Sequence, residues 1–245
     1  MSKLQTVFGI KKQLKDKPSL AKRIEKWIED KDLSEYFNNE TDNLSFEKPI
    51  NCFDMDGVLE NETILAPISA YIFHRFSELI ENNKSQPKII LIDEFQRFDN
   101  SVNFAPRIRV ALKQYRKKNT VFIGCIQEPS VILNSETIRK DEYLSNIATF
   151  IIFPDSKAEK KDYEALGLND NEFNFIKNTV NDNTQRRVLI KQTNGKSSII
   201  DINLASLGKY VKAFSSSGRD LELFERLQQE EKENYIDEYL GGGGL

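Results

Sequence analysis

Residues 88 to 98, KIILIDEFQRF, hold the carboxylates whose placement could do chemistry. Ile89 to Ile92 run straight into Asp93 and Glu94. A short aliphatic run of this kind predicts a buried strand. Two carboxylates at its end can hold a hydrated Mg²⁺ and polarise an attacking water. In nucleotide hydrolysis that chemistry needs a second part, a phosphate loop of the form Gly-x-x-x-x-Gly-Lys-Ser/Thr between a strand and a helix. The chain has one Gly-Lys-Ser, at Gly195 to Ser197, but Ile190 stands where the first glycine belongs. Asn194-Gly195 also sits between two alternating runs, which predicts a hairpin turn and not a phosphate cradle. Asp56-Gly57 reads as a plain turn. The carboxylates thus stand without their usual partner. Either the chain is no nucleotide hydrolase, or it is the later part of one.

Other residues with chemical reach are few. Gln127 follows the apolar run VFIGCI, at the end of a strand where α/β sheets bind ligands. Arg186 and Arg187 open an alternating run, and a guanidinium suits phosphate because its planar fork makes two charge-assisted hydrogen bonds. Arg116, Lys117 and Lys118 end a helical pattern, where cations also meet the helix dipole favourably. His74 is the only histidine. With no cysteine or second histidine beside it, a metal site there is not expected. Cys52 and Cys125 lie in apolar runs and are expected to be buried, reduced thiols.

The elements that must position these groups can be read from periodicity. Leu20, Ile24, Trp27 and Ile28 share a helical face, and NNETDN (38–43) breaks the pattern. PINCFDM (49–55) reads as a strand. Residues 60–83 read as a helix with a stripe of Ile68, Ile72, Phe76 and Leu79. The strand ending in Asp93 follows, then a helix over 102–119. TVFIGCIQ (120–127) is apolar almost throughout, as a strand covered on both faces should be. ATFIIFP (148–154) reads as a further strand. Strands alternating with helices predict an α/β fold with a mostly parallel sheet flanked by helices and right-handed crossovers. Runs 186–192 and 197–203 predict an antiparallel hairpin near the C-terminal end of that sheet. A long charged helix (218–240) and a GGGGL tail, disordered or appended, close the chain.

Composition bounds the class. The chain has 245 residues, with 39% hydrophobic and 30% charged, which is globular and not disordered. A net charge of −3 gives no global field toward nucleic acid or anionic lipid. No run approaches the roughly 20 apolar residues of a membrane span. The N-terminus lacks the apolar core of a signal peptide, so a cytoplasmic location is expected.

FDMDGVL with APISAYIFHRF, then IILIDEFQRF, IRVALKQYRKKN, IGCIQEPS, ATFIIFPDSKAEKKDYEALGLNDNE and RRVLIKQ with SSIIDINL come in one order at short spacings. This ordered set, over roughly residues 35 to 230, resembles the C-terminal half of the VirB/TraC/CagE-type ATPases of type IV secretion and conjugation systems. The resemblance implies a RecA-like P-loop fold whose phosphate loop lies upstream, across a helical insertion. Residues 1–48 would be the end of that insertion, 49–212 the later part of the ATPase domain without its phosphate loop, 213–240 a C-terminal helix, and 241–245 the tail. The resemblance implies Asp93 as Walker-B carboxylate for Mg²⁺, Glu94 as catalytic base, Gln127 as sensor of the γ-phosphate, and Arg186 or Arg187 as a contact to nucleotide. Arg116 and Lys117 match the family's basic helix end near ATP. The expected cofactors are ATP and Mg²⁺, gripped poorly by this truncated chain alone. The expected partners are other type IV secretion proteins and further copies of itself in a hexamer, peripheral at the inner membrane. The charge balance argues against direct nucleic-acid binding. Two other readings stay open: a hexameric ATPase that translocates DNA directly, and a non-catalytic docking module whose acidic C-terminal helix binds secretion proteins.

Overall fold

The computed structural model describes residues 18–29, 31–39, 44–99, 104–181, 185–215, 217–230 and 234–241. They fall in two compact units that meet in sequence at Asn146 and Ile147. The class is α/β, with one parallel strand pair and one antiparallel three-stranded sheet.

In the first unit, α1 (Pro18–Glu29) and α2 (Lys31–Phe37) form a pair. Trp27 and Phe37 meet edge to face at 4.9 Å, the geometry their quadrupoles favour. Helix α3 (Glu62–Asn82) starts where the Asn61 side chain accepts the Thr63 N–H, a standard N-cap. Strand β1 (Lys88–Ile92) runs parallel to β2 (Thr120–Gly124), with Lys88 opposite Thr120 and Ile92 opposite Gly124. The crossover contains the short α4 (Phe95–Asp99) and α5 (Ala105–Gln114). α5 ends in a tight turn closed by Asn119 at φ +53°, a left-handed position that asparagine tolerates. Ile80 of α3, Ala111 of α5 and Tyr115 form a buried cluster, with Phe76, Ile90 and Phe122 against it. One face of the strand pair is therefore covered. The other is not: Ile89, Leu91 and Val121 are exposed. The expectation that the β2 run is covered on both faces is not met here, because the helices of this unit pack on the Ile90–Phe122 side.

The run 49–55 is not a strand. Its residues form no ladder, and a short helical turn follows at Asp56–Leu59. Pro49 has no N–H to donate, and an apolar run becomes a strand only where a partner supplies the ladder. Phe53 instead packs on Phe46 at 5.9 Å. Cys52 is accordingly exposed, not buried, while Cys125 is partly buried; both are free thiols.

In the second unit, β3 (Thr149–Ile152) pairs antiparallel with β4 (Arg187–Gln192), and β4 pairs antiparallel with β5 (Ser197–Asp201). Within the run 148–154, Thr149–Ile152 thus make a strand, but their partner is the hairpin and not the parallel pair. The hairpin turns at Asn194-Gly195, with Gly195 at φ +88° and Gln192 accepting its N–H. Between β3 and β4 lies α7 (Asp170–Asn178), preceded by a short helix at Lys160–Tyr163. Asn169 and Glu172 form a reciprocal capping box at its start, which satisfies two orphan N–H groups. Glu172 then reaches Lys191 of β4 at 2.9 Å, with 6% and 9% of the two side chains exposed. Ile176, Val188 and Leu189 are buried around the same layer. The start of β4 is held twice. Asp201 accepts the Arg186 N–H, and the Asn181 side chain both accepts the Arg187 N–H and donates to the Arg187 carbonyl. A 3₁₀ stretch, Ala205–Phe214, leads to α8 (Gly218–Gln229) and α9 (Tyr235–Gly241). These two helices replace the single long one expected. They pack through Leu227, Phe224, Tyr235, Tyr239 and Leu240. The glycines of the tail after Gly241 lie outside the described residues.

Candidate functional site at the carboxyl end of the parallel strands

The parallel ladder does not stop with β1. Cys125 donates to the Ile92 carbonyl at 2.9 Å, and Phe95 donates back to the Cys125 carbonyl at 3.0 Å. Asp93 and Glu94 are thereby held as a bend between two ladder bonds. Gly124 makes this possible: a Cβ there would sit 3.0 Å from Cγ of Phe95, whose ring is buried against β2. Phe95 also meets Phe122 at 5.7 Å and Tyr143 of α6 (Lys140–Asn146) at 6.3 Å. The bend therefore rests on an aromatic anchor.

Glu94 has φ +47°, one of two non-glycine residues in the left-handed region among those described. Glutamate gains no local hydrogen bond there of the kind asparagine gains, so the conformation costs on the order of 1 kcal/mol or more. The surrounding contacts maintain it. Asp93 Oδ1 accepts the Glu94 N–H at 2.9 Å. The Glu94 carbonyl accepts the Arg97 N–H at 2.9 Å. Arg97 Nε and Glu94 Oε2 form an ion pair at 2.8 Å, with 51% and 41% of the two side chains exposed. Asp93 is exposed, and its charge is felt by Cys125: burial pushes that thiol up, and the Asp93 carboxylate adds to the shift. Gln127 lies two residues past Cys125, on the same edge and exposed.

The structure brings Asp93, Glu94 and Gln127 to one edge of the parallel pair. Arg116 and Lys117 it does not. They are exposed in the turn that precedes β2, at its amino end, about 13 Å along the strand from the carboxylates. Arg186 and Arg187 belong to the other unit. Arg186 is exposed, whereas Arg187 is half-buried with its Nε unpartnered by hydrogen bonds. His74 is exposed and faces Glu78 at 3.8 Å. An apolar hollow in the first unit, lined by residues such as Tyr36, Phe53 and Ile72, includes none of these side chains.

Sequence reasoning did not single out Arg97. Its signal was the spacing itself, a cation three residues after the carboxylate across the first turn of a helix. Among the described residues no group of three or more His, Cys, Asp or Glu side chains could enclose a metal ion. A single exposed carboxylate is the donor set that Mg²⁺ takes alongside waters and phosphate oxygens.

No protein-family model matches the chain. Individual relatives do. It is 32% identical over 216 residues to the type IV secretion system protein virB4 of Bartonella henselae, covering 87% of this chain and 26% of that protein. Against the protein virB4 of Agrobacterium tumefaciens it is 25% identical over 243 residues, 97% of this chain and 30% of the relative. With the type IV secretion system protein PtlC of Bordetella pertussis it shares 25% identity over 217 residues, 84% and 25% of the two chains. The chain thus spans between a quarter and a third of the length of these relatives.

Proposed function

We propose, from the premise that this chain belongs to the VirB4-type family, that it carries the metal-holding and water-activating part of a secretion-system ATPase. The supporting observation is the bend at the end of β1, where two carboxylates are fixed between two ladder bonds and one of them has strained backbone. Strain held in place by its surroundings is what functional positions accumulate. In this reading Asp93 holds Mg²⁺ through water, Glu94 orients and polarises the attacking water, and Gln127 senses the γ-phosphate. Mg²⁺, when bound, neutralises charge on the β- and γ-oxygens. The chain's own residues keep the base at the strand end and present it to solvent. In this reading the phosphates are gripped by a glycine-rich loop proposed to lie upstream in the longer protein. The arginine pair at 186 and 187 is proposed to reach nucleotide, within one copy or across to another. Secretion-system proteins and further copies in a hexamer are the proposed partners. Among the described residues no helix is long and apolar enough to cross a membrane, which suits peripheral placement.

Two measurements test this. In the longer protein, Glu94→Gln should lower hydrolysis roughly 100-fold or more while Mg·ATP binding persists. Calorimetry with Mg·ATP on the present chain should find no binding tighter than about 100 μM. Unchanged hydrolysis in Glu94→Gln sinks the assignment of the base, and tight binding by this chain means that its residues form a phosphate site of their own.

A further inference from the structure

We propose that Tyr143 of α6 is the positioning residue of the carboxylate bend, holding the main chain at Asp93 and Glu94 in place through the ring of Phe95. The inference rests on the reading of Glu94 as the base and adds a residue from another element that keeps the base where it is.

Phe95 follows the two carboxylates directly and is 4% exposed. Its main chain closes the second ladder bond, donating to the Cys125 carbonyl at 3.0 Å. Its ring lies close enough to Gly124 that a Cβ there would crowd Cγ. Phe122 and Tyr143 meet the ring edge to face, at 76° and 83°, the arrangement that ring quadrupoles favour. Gly124 and Phe122 belong to β2 itself. Tyr143 comes from α6 and is 1% exposed, so it holds the ring from outside the strand pair.

α6 is seated in its turn. It packs on α5, and Ile138 just before it is fully buried. Glu142 adds ion pairs to Arg109 and Lys113 of α5, at 3.3 and 2.6 Å. Those pairs are partly exposed and contribute little by themselves. The buried ring contact is of another kind. Interiors are close-packed, so a ring set between two others cannot turn without displacing them. With the ring held, the Phe95 N–H stays on Cys125, and the positive φ of Glu94 has the surroundings that such backbone needs to persist. Without Tyr143, space opens beside the ring, the bond at Phe95 frays, and both carboxylates move with their main chain. Small misplacements of a reacting group cost rate steeply.

The test has two arms. In the present chain, Tyr143→Leu should speed amide exchange at Phe95 and Cys125 roughly tenfold. Lys88, which donates to the Asn119 carbonyl at the other end of the ladder, should be unchanged. Equal acceleration at all three amides means that Tyr143 only stabilises the unit, and no acceleration means that it does not hold the bend; either overturns the proposal. Should Tyr143→Leu not fold, Tyr143→Met, whose flexible chain fills irregular gaps, is read the same way. In the longer protein, Tyr143→Leu should lower kcat roughly tenfold or more with a smaller change in KM for Mg·ATP. Tyr143→Phe keeps the ring and should match the unmodified protein in both arms. An unchanged kcat, a loss carried mainly by KM, or a Tyr143→Phe variant as impaired as Tyr143→Leu also overturns the proposal. The readings stay separable: if Glu94→Gln leaves hydrolysis intact, the assignment of the base is what fails, and the exchange arm still decides whether Tyr143 holds the bend.

Discussion

The Glu172–Lys191 pair of the second unit and the Glu94–Arg97 pair of the first close to nearly the same distance, 2.9 and 2.8 Å. Their surroundings differ. Glu172 and Lys191 are 6% and 9% exposed, and the carboxylate also completes a helix cap. Burial works against its charge. Hydrogen bonds from Ser197, Lys191 and the Asn169 backbone outweigh that, so its carboxyl lies below the ordinary range. Glu94 and Arg97 sit half in water, and Glu94 alone of the two has strained backbone. Distance alone would make the two contacts equivalent. Dielectric makes the first a lock on the fold and leaves the second a weak, salt-screened surface pair.

The sharpest way to break the comparison is Lys191→Met. It leaves Glu172 buried without its countercharge, and the second unit should lose about 3 kcal/mol or more. Amide exchange of the β4 residues under mild denaturant measures this. Adding Glu172→Met should restore most of it, since a buried pair replaced whole by apolar groups is close to neutral.

Acid sharpens it next. A carboxyl held below its ordinary value stabilises the fold above that value, about 4.3 for glutamate, and the contribution fades as pH falls through the lower, folded value. Protection of β4 amides should therefore decline with acidification below about pH 4, and Glu172→Gln should weaken that dependence, leaving the smaller share of the exposed pairs at Glu159 and Asp170.

At the other pair, Glu94→Gly should keep or raise stability of the first unit, by about 1 kcal/mol, because glycine adopts positive φ without penalty. Thermal unfolding reads it, and a clear loss would mean that the bend is not strained in solution. The smallest effect belongs to Arg97→Ala: under about 0.5 kcal/mol, and none at 0.5 M salt.

How much of this could be read in advance follows the range of each interaction. β1, β2 and the Asn194-Gly195 turn were legible because aliphatic runs and turn residues act locally. The run 49–55 looked like a strand for the same reason and is not one, since no local feature tells whether a ladder partner exists. Ile151 and its neighbours were read as a strand correctly, yet their antiparallel pairing with Leu189 and Ile190 depends on a partner about forty residues away. The carboxylates at 93 and 94 were visible as a pair. The backbone strain at Glu94 was not, because a positive φ at a glutamate leaves no mark in residue type or spacing. Lys191 falls in the run 186–192, where nothing local marks it for burial. Its burial arises from Glu172, nineteen residues earlier on another element.

Asn181 offers a last consequence. Its amide mimics a strand: it pairs with the N–H and C=O of Arg187 on the side of β4 where β3 has already ended. Consecutive strand residues point to opposite faces, so a slip of the hairpin by one position would exchange Arg186 with Arg187. The asparagine clasp and the Asp201 contact to the Arg186 N–H together act as a register pin. They decide which of two chemically identical neighbours faces solvent. The pair RR is thus not redundant: the Asn181 and Asp201 side chains give Arg186 the outward address and Arg187 the inward one.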